Sequence, residues 1–256
     1  MIPWFQYLSF NIGPLTIYAW GFFVALGFLT SFIILLKKSK EVGMDSESLT
    51  NLMLLIIVLG FLFARIFHIA FYEPSFFFSN PFEIFKVWNG GFSSFGGLFG
   101  AVLGFFIYGS SRSWNKEIYL KIADLLSFSA IFGWIVGRLG CFAIHDHLGQ
   151  KVDFFLAINT PDGARLEMAL LEILWLIPVA IIFLILRKKV KFGDGWFTII
   201  LLTEYGFMRF VLDFFRAVDI AHADVRYLGL TPAQYFAIIL LISGIFLFYK
   251  INKKST

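Results

Sequence analysis

The chain has 256 residues, of which 59% are hydrophobic, 20% aromatic and only 15% charged. A soluble domain carries about 25% charged residues, so this composition excludes an ordinary water-soluble enzyme and indicates an integral membrane protein. The formal net charge of +4 sits in short segments between long apolar blocks. There it reports topology and contact with anionic lipid rather than nucleic-acid binding.

The start, MIPWFQYLSFNIG, has no basic n-region and no small-residue cleavage site, so no removable signal peptide is expected. A spanning helix needs roughly 20 apolar residues to cross a ~30 Å hydrocarbon core. Seven stretches qualify: residues 15–36, 49–72, 92–108, 122–144, 167–186, 195–215 and 232–249. No period-two alternation persists along them, and they are too long for barrel strands. Lys37, Lys38 and Lys40 follow the first stretch, and Arg112, Lys116 and Lys121 the third. Arg187, Lys188, Lys189 and Lys191 follow the fifth; Lys250, Lys253 and Lys254 follow the seventh. The opposite loops hold only Lys86, Lys151, Arg165, Arg216 and Arg226. The positive-inside rule then puts the N-terminus outside and the C-terminus in the cytoplasm. The expected fold is all-α, a polytopic membrane protein with seven transmembrane helices. No repeat or low-complexity linker divides it, so residues 1–256 read as a single domain. Two outer loops are long. Residues 73–91, with FFFSNPFEIFKVW, suit a segment lying at the interface, and Pro161-Asp162-Gly163 within 145–165 signals a short hairpin.

Three arginines stand inside apolar stretches: Arg65, Arg138 and Arg209. An arginine at the bilayer centre costs about 2.5–3.5 kcal/mol on insertion scales. A long side chain near a helix end can instead reach the headgroups. The company of these residues suggests more. In YGFMRFVLDFFR, Tyr205, Arg209, Asp213 and Arg216 share one helical stripe. In GWIVGRLGCFAIHDHLG, Arg138, Cys141 and His145 share another, with Asp124 four turns below. Two polar stripes near the outer surface make most sense facing each other, either as an ion-pair network that fixes packing or as an anion site. Guanidinium groups grip phosphate bidentately, and a phospholipid headgroup is the anion available at that depth. In GGFSSFGGLFG, Gly96 and Gly97 serve either close helix packing or the approach of backbone N–H groups to a ligand. Cys141 is the only cysteine, so no intramolecular disulfide forms. Cys141, His145 and His147 supply just three ligands at an unspecific spacing, so no metal is expected.

The segments PLTIYAWGFFVALGF, ARIFHIAFY, VWNGGFSSFGGLFGAVLG, GRLGCF, ALLEILW and YGFMRFVLDFFRAVD, in that order, resemble the prolipoprotein diacylglyceryl transferase family of bacteria. The resemblance implies seven transmembrane helices and a location in the bacterial cytoplasmic (inner) membrane. It implies transfer of diacylglyceryl from phosphatidylglycerol to the cysteine thiol in the signal segment of a lipoprotein precursor, giving a thioether and glycerol phosphate without a cofactor. Cationic side chains would stabilise the phosphate as the carbon–oxygen bond breaks. Arg138 and Arg209 match the family's essential arginines, while Arg65, Glu172 and Arg216 match family positions and Asp213 stands where Glu is usual. Phe95 replaces the family histidine, Cys141 the signature asparagine and Trp20 a first-span tyrosine. The H-P-[ST]-Q-L-Y-E motif is replaced by residues 166–172. His145 or His147 is the candidate substitute base. Two further readings stay open: a non-catalytic lipid- or lipoprotein-binding paralogue, and a proton-coupled carrier using the Arg/Asp pairs.

Overall fold

The computed structural model describes residues 1–86, 90–220 and 223–253. The chain opens with β1 (Ile2–Pro3) and a hairpin of β2 (Ser9–Ile12) and β3 (Leu15–Tyr18), turned at Gly13. The first span, expected from residue 15, therefore begins four residues later as α1 (Ala19–Lys37). Residues 15–18 pair with the preceding strand instead, although their apolarity alone reads as helix. A short α2 (Ser39–Val42) ends at Gly43, whose φ of +72° suits glycine.

Side-chain caps open most of the longer helices, though not α1 or the helix Trp196–Leu212, and explain their boundaries. Asp45 accepts from Ser48 N at 2.8 Å and starts α3 (Ser46–Phe71). The loop beyond holds α4 (Pro74–Ser79) and a 3-10 turn, Pro81–Phe85. Phe76, Phe78, Phe82 and Phe85 are exposed there, in keeping with an interfacial segment; residues 87–89 lie outside the described residues. Ser93 caps α5 (Ser94–Ser111), and Asn115 caps α6 (Lys116–Ile144). The Asn115 cap explains why α6 begins six residues before the apolar block. Next come β4 (Leu148–Lys151), β5 (Ile158–Thr160) and β6 (Gly163–Glu167), then α7 (Met168–Leu186) capped by Glu167. The last helices are α8 (Trp196–Leu212), continued by a 3-10 turn Asp213–Phe215, and α9 (Pro232–Asn252). A capping box between Thr231 and Gln234 opens α9.

Among the described residues six helices, α1, α3, α5, α6, α7 and α9, are long and apolar enough to cross a membrane. The seventh expected stretch is the 17-residue α8, about 25 Å at 1.5 Å per residue. The expected all-α membrane fold holds, with short strands added to it. β1 pairs parallel with β5, which continues through β6 to β4, making a four-stranded sheet beside the end of α6. Segments this short carry too little alternation to be read as strands. The hairpin expected at residues 161–163 is the β5–β6 turn.

Glycines set which helices touch. A Cβ on Gly96 or Gly100 of α5 would strike the backbone of α3 at Phe63 and Leu59. Gly27 and Gly133 bring α1 and α6 into backbone contact, and Gly206 and Gly244 do so for α8 and α9. Asp124 is fully buried and binds Gly193 N, Gly195 N and Thr198 N at 3.0, 2.7 and 3.0 Å. It ties α6 to the start of α8 and stands apart from the polar stripe to which spacing assigned it. Between the α3–α5 pair and the wall of α1, α6, α8 and α9 runs one continuous, largely apolar cleft of about 3120 Å³.

Candidate active site

At the end of this cleft nearest the β-sheet, the buried arginines converge. Arg138 projects from α6, Glu172 from α7 and Arg209 from α8, all less than a tenth exposed. Glu172 joins the two arginines: its Oε2 lies 2.6 Å from Arg138 Nη2, and its Oε1 lies 3.3 Å from Arg209 Nη1. Asp213, one turn beyond Arg209, approaches Arg209 Nη2 at 3.3 Å and Arg216 Nε at 3.2 Å. The other carboxylate oxygen of Asp213 accepts from Thr231 Oγ1 at 2.5 Å, which anchors the start of α9. Arg216 also pairs with Asp224. The two polar stripes expected to face each other do so, with Glu172 as the bridge.

Arg138, Arg209, Arg216, Cys141 and His147 line the cleft. Cys141 Sγ lies 3.6 Å from Arg138 Nη1. Among the described residues the Nε groups of Arg138 and Arg209 have no hydrogen-bond partner, so each guanidinium retains a donor. The two candidate histidines part company. His147 sits beside Asp146, Nδ1 to Oδ2 at 2.9 Å. Burial, and then the charge of Arg216, holds its imidazole below the ordinary value. Burial alone would raise the carboxyl of Asp146, but bonding to His147 and the pull of Arg216 hold it low. The same contest at Asp224 is won by Arg216, which keeps that carboxyl ionised.

His145 is a different matter. It adopts a left-handed conformation (φ 51°) at the end of α6, and its ring is boxed by Trp4, Phe5 and Phe142. Its Nδ1 lies 3.7 Å from Glu167, the cap of α7, and the side chain is 1% exposed. The helical stripe that placed it with Arg138 ends one residue too early, because the backbone turns at His145 itself.

Arg65 points its donors at backbone: Nη1 to Gly90 O at 2.5 Å and Gly91 O at 3.1 Å, Nε to Ile84 O at 3.2 Å. It fastens the loop after α3 to the rim of the cleft. The Gly96 N–H donates to Ser93 Oγ and the Gly97 N–H to Ser93 O. Gly96 therefore serves packing, whereas Gly97 borders the cleft. Phe95 is buried among Phe67, Phe71, Tyr72 and Phe236. Sequence reasoning missed His68, Tyr72, Asp146 and Asp224, all of which line the cleft. The signal for the first two was present, since Arg65, His68 and Tyr72 repeat the spacing that drew attention to Arg138, Cys141 and His145. Asp224 lies in an aperiodic loop and left no such trace.

Fold and site together define a multi-pass membrane protein with a buried cluster of arginines and carboxylates beside a large, largely apolar cleft. The family model for prolipoprotein diacylglyceryl transferase matches residues 7–250, and the chain belongs to that family. Relatives include the phosphatidylglycerol–prolipoprotein diacylglyceryl transferase of Staphylococcus xylosus, 28% identical over 93% of this chain and 86% of that protein. The enzymes of the same name from Staphylococcus saprophyticus and Staphylococcus aureus strain Newman are 28% and 27% identical, with the same coverage.

Proposed function

We propose that the chain transfers the diacylglyceryl group of phosphatidylglycerol to the cysteine thiol of a lipoprotein precursor, in the cytoplasmic membrane of a bacterium. The single observation that carries this reading is that Arg138 and Arg209, joined by Glu172, both line the cleft. Together they present two guanidiniums to one phosphate, with apolar walls beyond for acyl chains. In this reading the chain is one domain of seven spans, α8 included, with its N-terminus outside. The phosphate lies against Arg138 and Arg209, and Arg216 is steered toward it by Asp213 and Asp224. As the carbon–oxygen bond breaks, negative charge grows on the departing glycerol phosphate and the arginines stabilise it. His147, neutral and backed by Asp146, is the acid–base group on that phosphate's side. Cys141 and Gly97 shape the cleft, while Arg65 and Gly96 hold its walls. His145, packed on Glu167, positions the end of α6.

The test is transfer of a labelled diacylglyceryl group from phosphatidylglycerol to a lipobox peptide by purified protein. Wild type should turn over, and Arg138→Lys should lose at least about 100-fold, since Lys cannot offer the bidentate fork. A well-folded wild type that binds phosphatidylglycerol without transfer would overturn the enzymatic reading in favour of a lipid-binding paralogue.

A further inference from the structure

Displacement at a saturated carbon by a thiol is in-line: the sulfur attacks opposite the bond that breaks. The leaving phosphate and the group that takes the thiol's proton therefore belong on opposite sides of the reacting carbon. Arg138, Glu172 and Arg209 occupy the α6–α7–α8 side of the cleft. His147 lies with them, in the electrostatic field of Arg216 and Arg138. It is on the leaving-group side and cannot also receive the proton of an attacking thiol.

The opposing wall is α3 and α5, and it carries a histidine that lines the same cleft, His68. This ring stands in the last turn of α3, parallel to Tyr72 at a centroid distance of 5.6 Å. Its Nε2 lies 3.8 Å from Glu73 Oε2, a carboxylate that orients the ring. Arg65 is the other charge beside it. Gly91, at φ +77°, leaves room for both side chains, since a Cβ there would stand 2.8 Å from His68 Nε2 and 2.6 Å from Arg65 Nη1. Tyr72 in turn lies within electrostatic reach of Arg209, Arg216 and Asp224, so the His68 wall borders the space in front of the arginines.

The geometry points to His68, oriented by Glu73, as the group that takes the proton from the acceptor thiol. This assignment rests on the transferase reading above. The sulfur's electron pair forms the new S–C bond as the proton moves to the imidazole. The C–O pair departs with glycerol phosphate onto the arginines, and His68 then gives its proton to the solution.

The experiment compares wild type with His68→Gln and Glu73→Gln, using phosphatidylglycerol and a lipobox peptide in detergent. His68→Gln should lower kcat by 100-fold or more with little change in either KM, and remove the acidic limb of the kcat–pH profile. A peptide carrying selenocysteine, already ionised at neutral pH, should restore most of that rate. Glu73→Gln, at a half-exposed position, should fold normally and shift the acidic limb. Retention of turnover within threefold in His68→Gln, or an equal deficit with the selenol acceptor, overturns the proposal. A second readout separates it from the transferase reading: alkylation of the bound peptide's cysteine by iodoacetamide without lipid. Alkylation that is faster on wild type than on His68→Gln, in protein showing no transfer, supports His68 while the transfer reading fails. Equal alkylation overturns His68.

Discussion

Glu172 is the residue whose removal tests the site most sharply. Its side chain is 2% exposed and holds two guanidiniums at 2.6 and 3.3 Å. Glu172→Gln keeps the shape and one acceptor oxygen but removes the charge, leaving Arg138 without its carboxylate partner. Breaking a buried ion pair from one side costs about 3–5 kcal/mol. Because the amide oxygen still serves one guanidinium, the lower end applies, about 3 kcal/mol, or roughly 100-fold in the folding equilibrium at 1.4 kcal/mol per decade. Equilibrium unfolding in mild detergent, followed by tryptophan fluorescence, measures this directly. Glu204→Gln is the matched control, because Glu204 is half-buried and donates no charge to this cluster; it accepts one bond from Trp175 Nε1 at 2.7 Å. That change should cost under about 1 kcal/mol. Arg138→Met combined with Glu172→Met should recover part of the loss, since the destabilisation comes from an orphaned charge and not from a missing attraction. If Glu172→Gln unfolds within about 1 kcal/mol of wild type and keeps full turnover, the bridge is not what holds the arginines.

Asp124→Ala should destabilise the protein by about 2 kcal/mol or more, because it strips three backbone N–H groups of their acceptor; kcat of the remaining folded enzyme should match wild type. Gly133→Ala should sharply reduce folded yield, because its Cβ would collide with Ser31 and Gly27, whereas Gly137→Ala on the same helix meets nothing within 4 Å and should fold normally; size-exclusion recovery distinguishes them. The His147 imidazole is held below its ordinary value, so the unfolded chain takes up that proton first. The contribution is complete above about pH 6.5 and is lost as pH falls through the lowered folded value. His147→Gln should flatten this acid loss in unfolding midpoints measured from pH 7.5 to 5.

Apolar blocks and positive punctuation gave away the helices because a membrane imposes a length and a composition that no local contact can disguise. Their ends were less legible. Residues 15–18 are as apolar as the helix they precede, and only pairing with residues 9–12 makes them strand. The start of α6 depends on one asparagine, visible as a cap only once the helix is known. Within the site, Arg209 and Asp213 followed from spacing, since both lie on α8 or its immediate extension. Glu172 could be placed only by resemblance, because its partners are 34 residues before it and 37 residues after it in the chain. His145 was drawn to Arg138 by a helical period that stops at its own left-handed backbone. The same period, applied to Arg65, would have found His68.

The cluster also explains how three arginines are tolerated at this depth. Arg138, Arg209 and Arg216 are matched by Glu172, Asp213 and Asp224, so the network is formally neutral. An unmatched trio would hold the singly charged phosphodiester of the substrate very tightly. It would hold the more highly charged glycerol phosphate product more tightly still, and release would be slow. Sharing each guanidinium with a carboxylate weakens the grip on the ground state. On the proposed reading, as charge develops on the departing oxygen, the Nε donors of Arg138 and Arg209, without a hydrogen-bond partner among the described residues, are the ones the arginines would turn toward it. Stabilisation that grows with the charge being formed raises kcat, whereas an equally strong grip on substrate would only lower KM. On the proposed reading, the carboxylates therefore belong to the catalytic design as much as the arginines do.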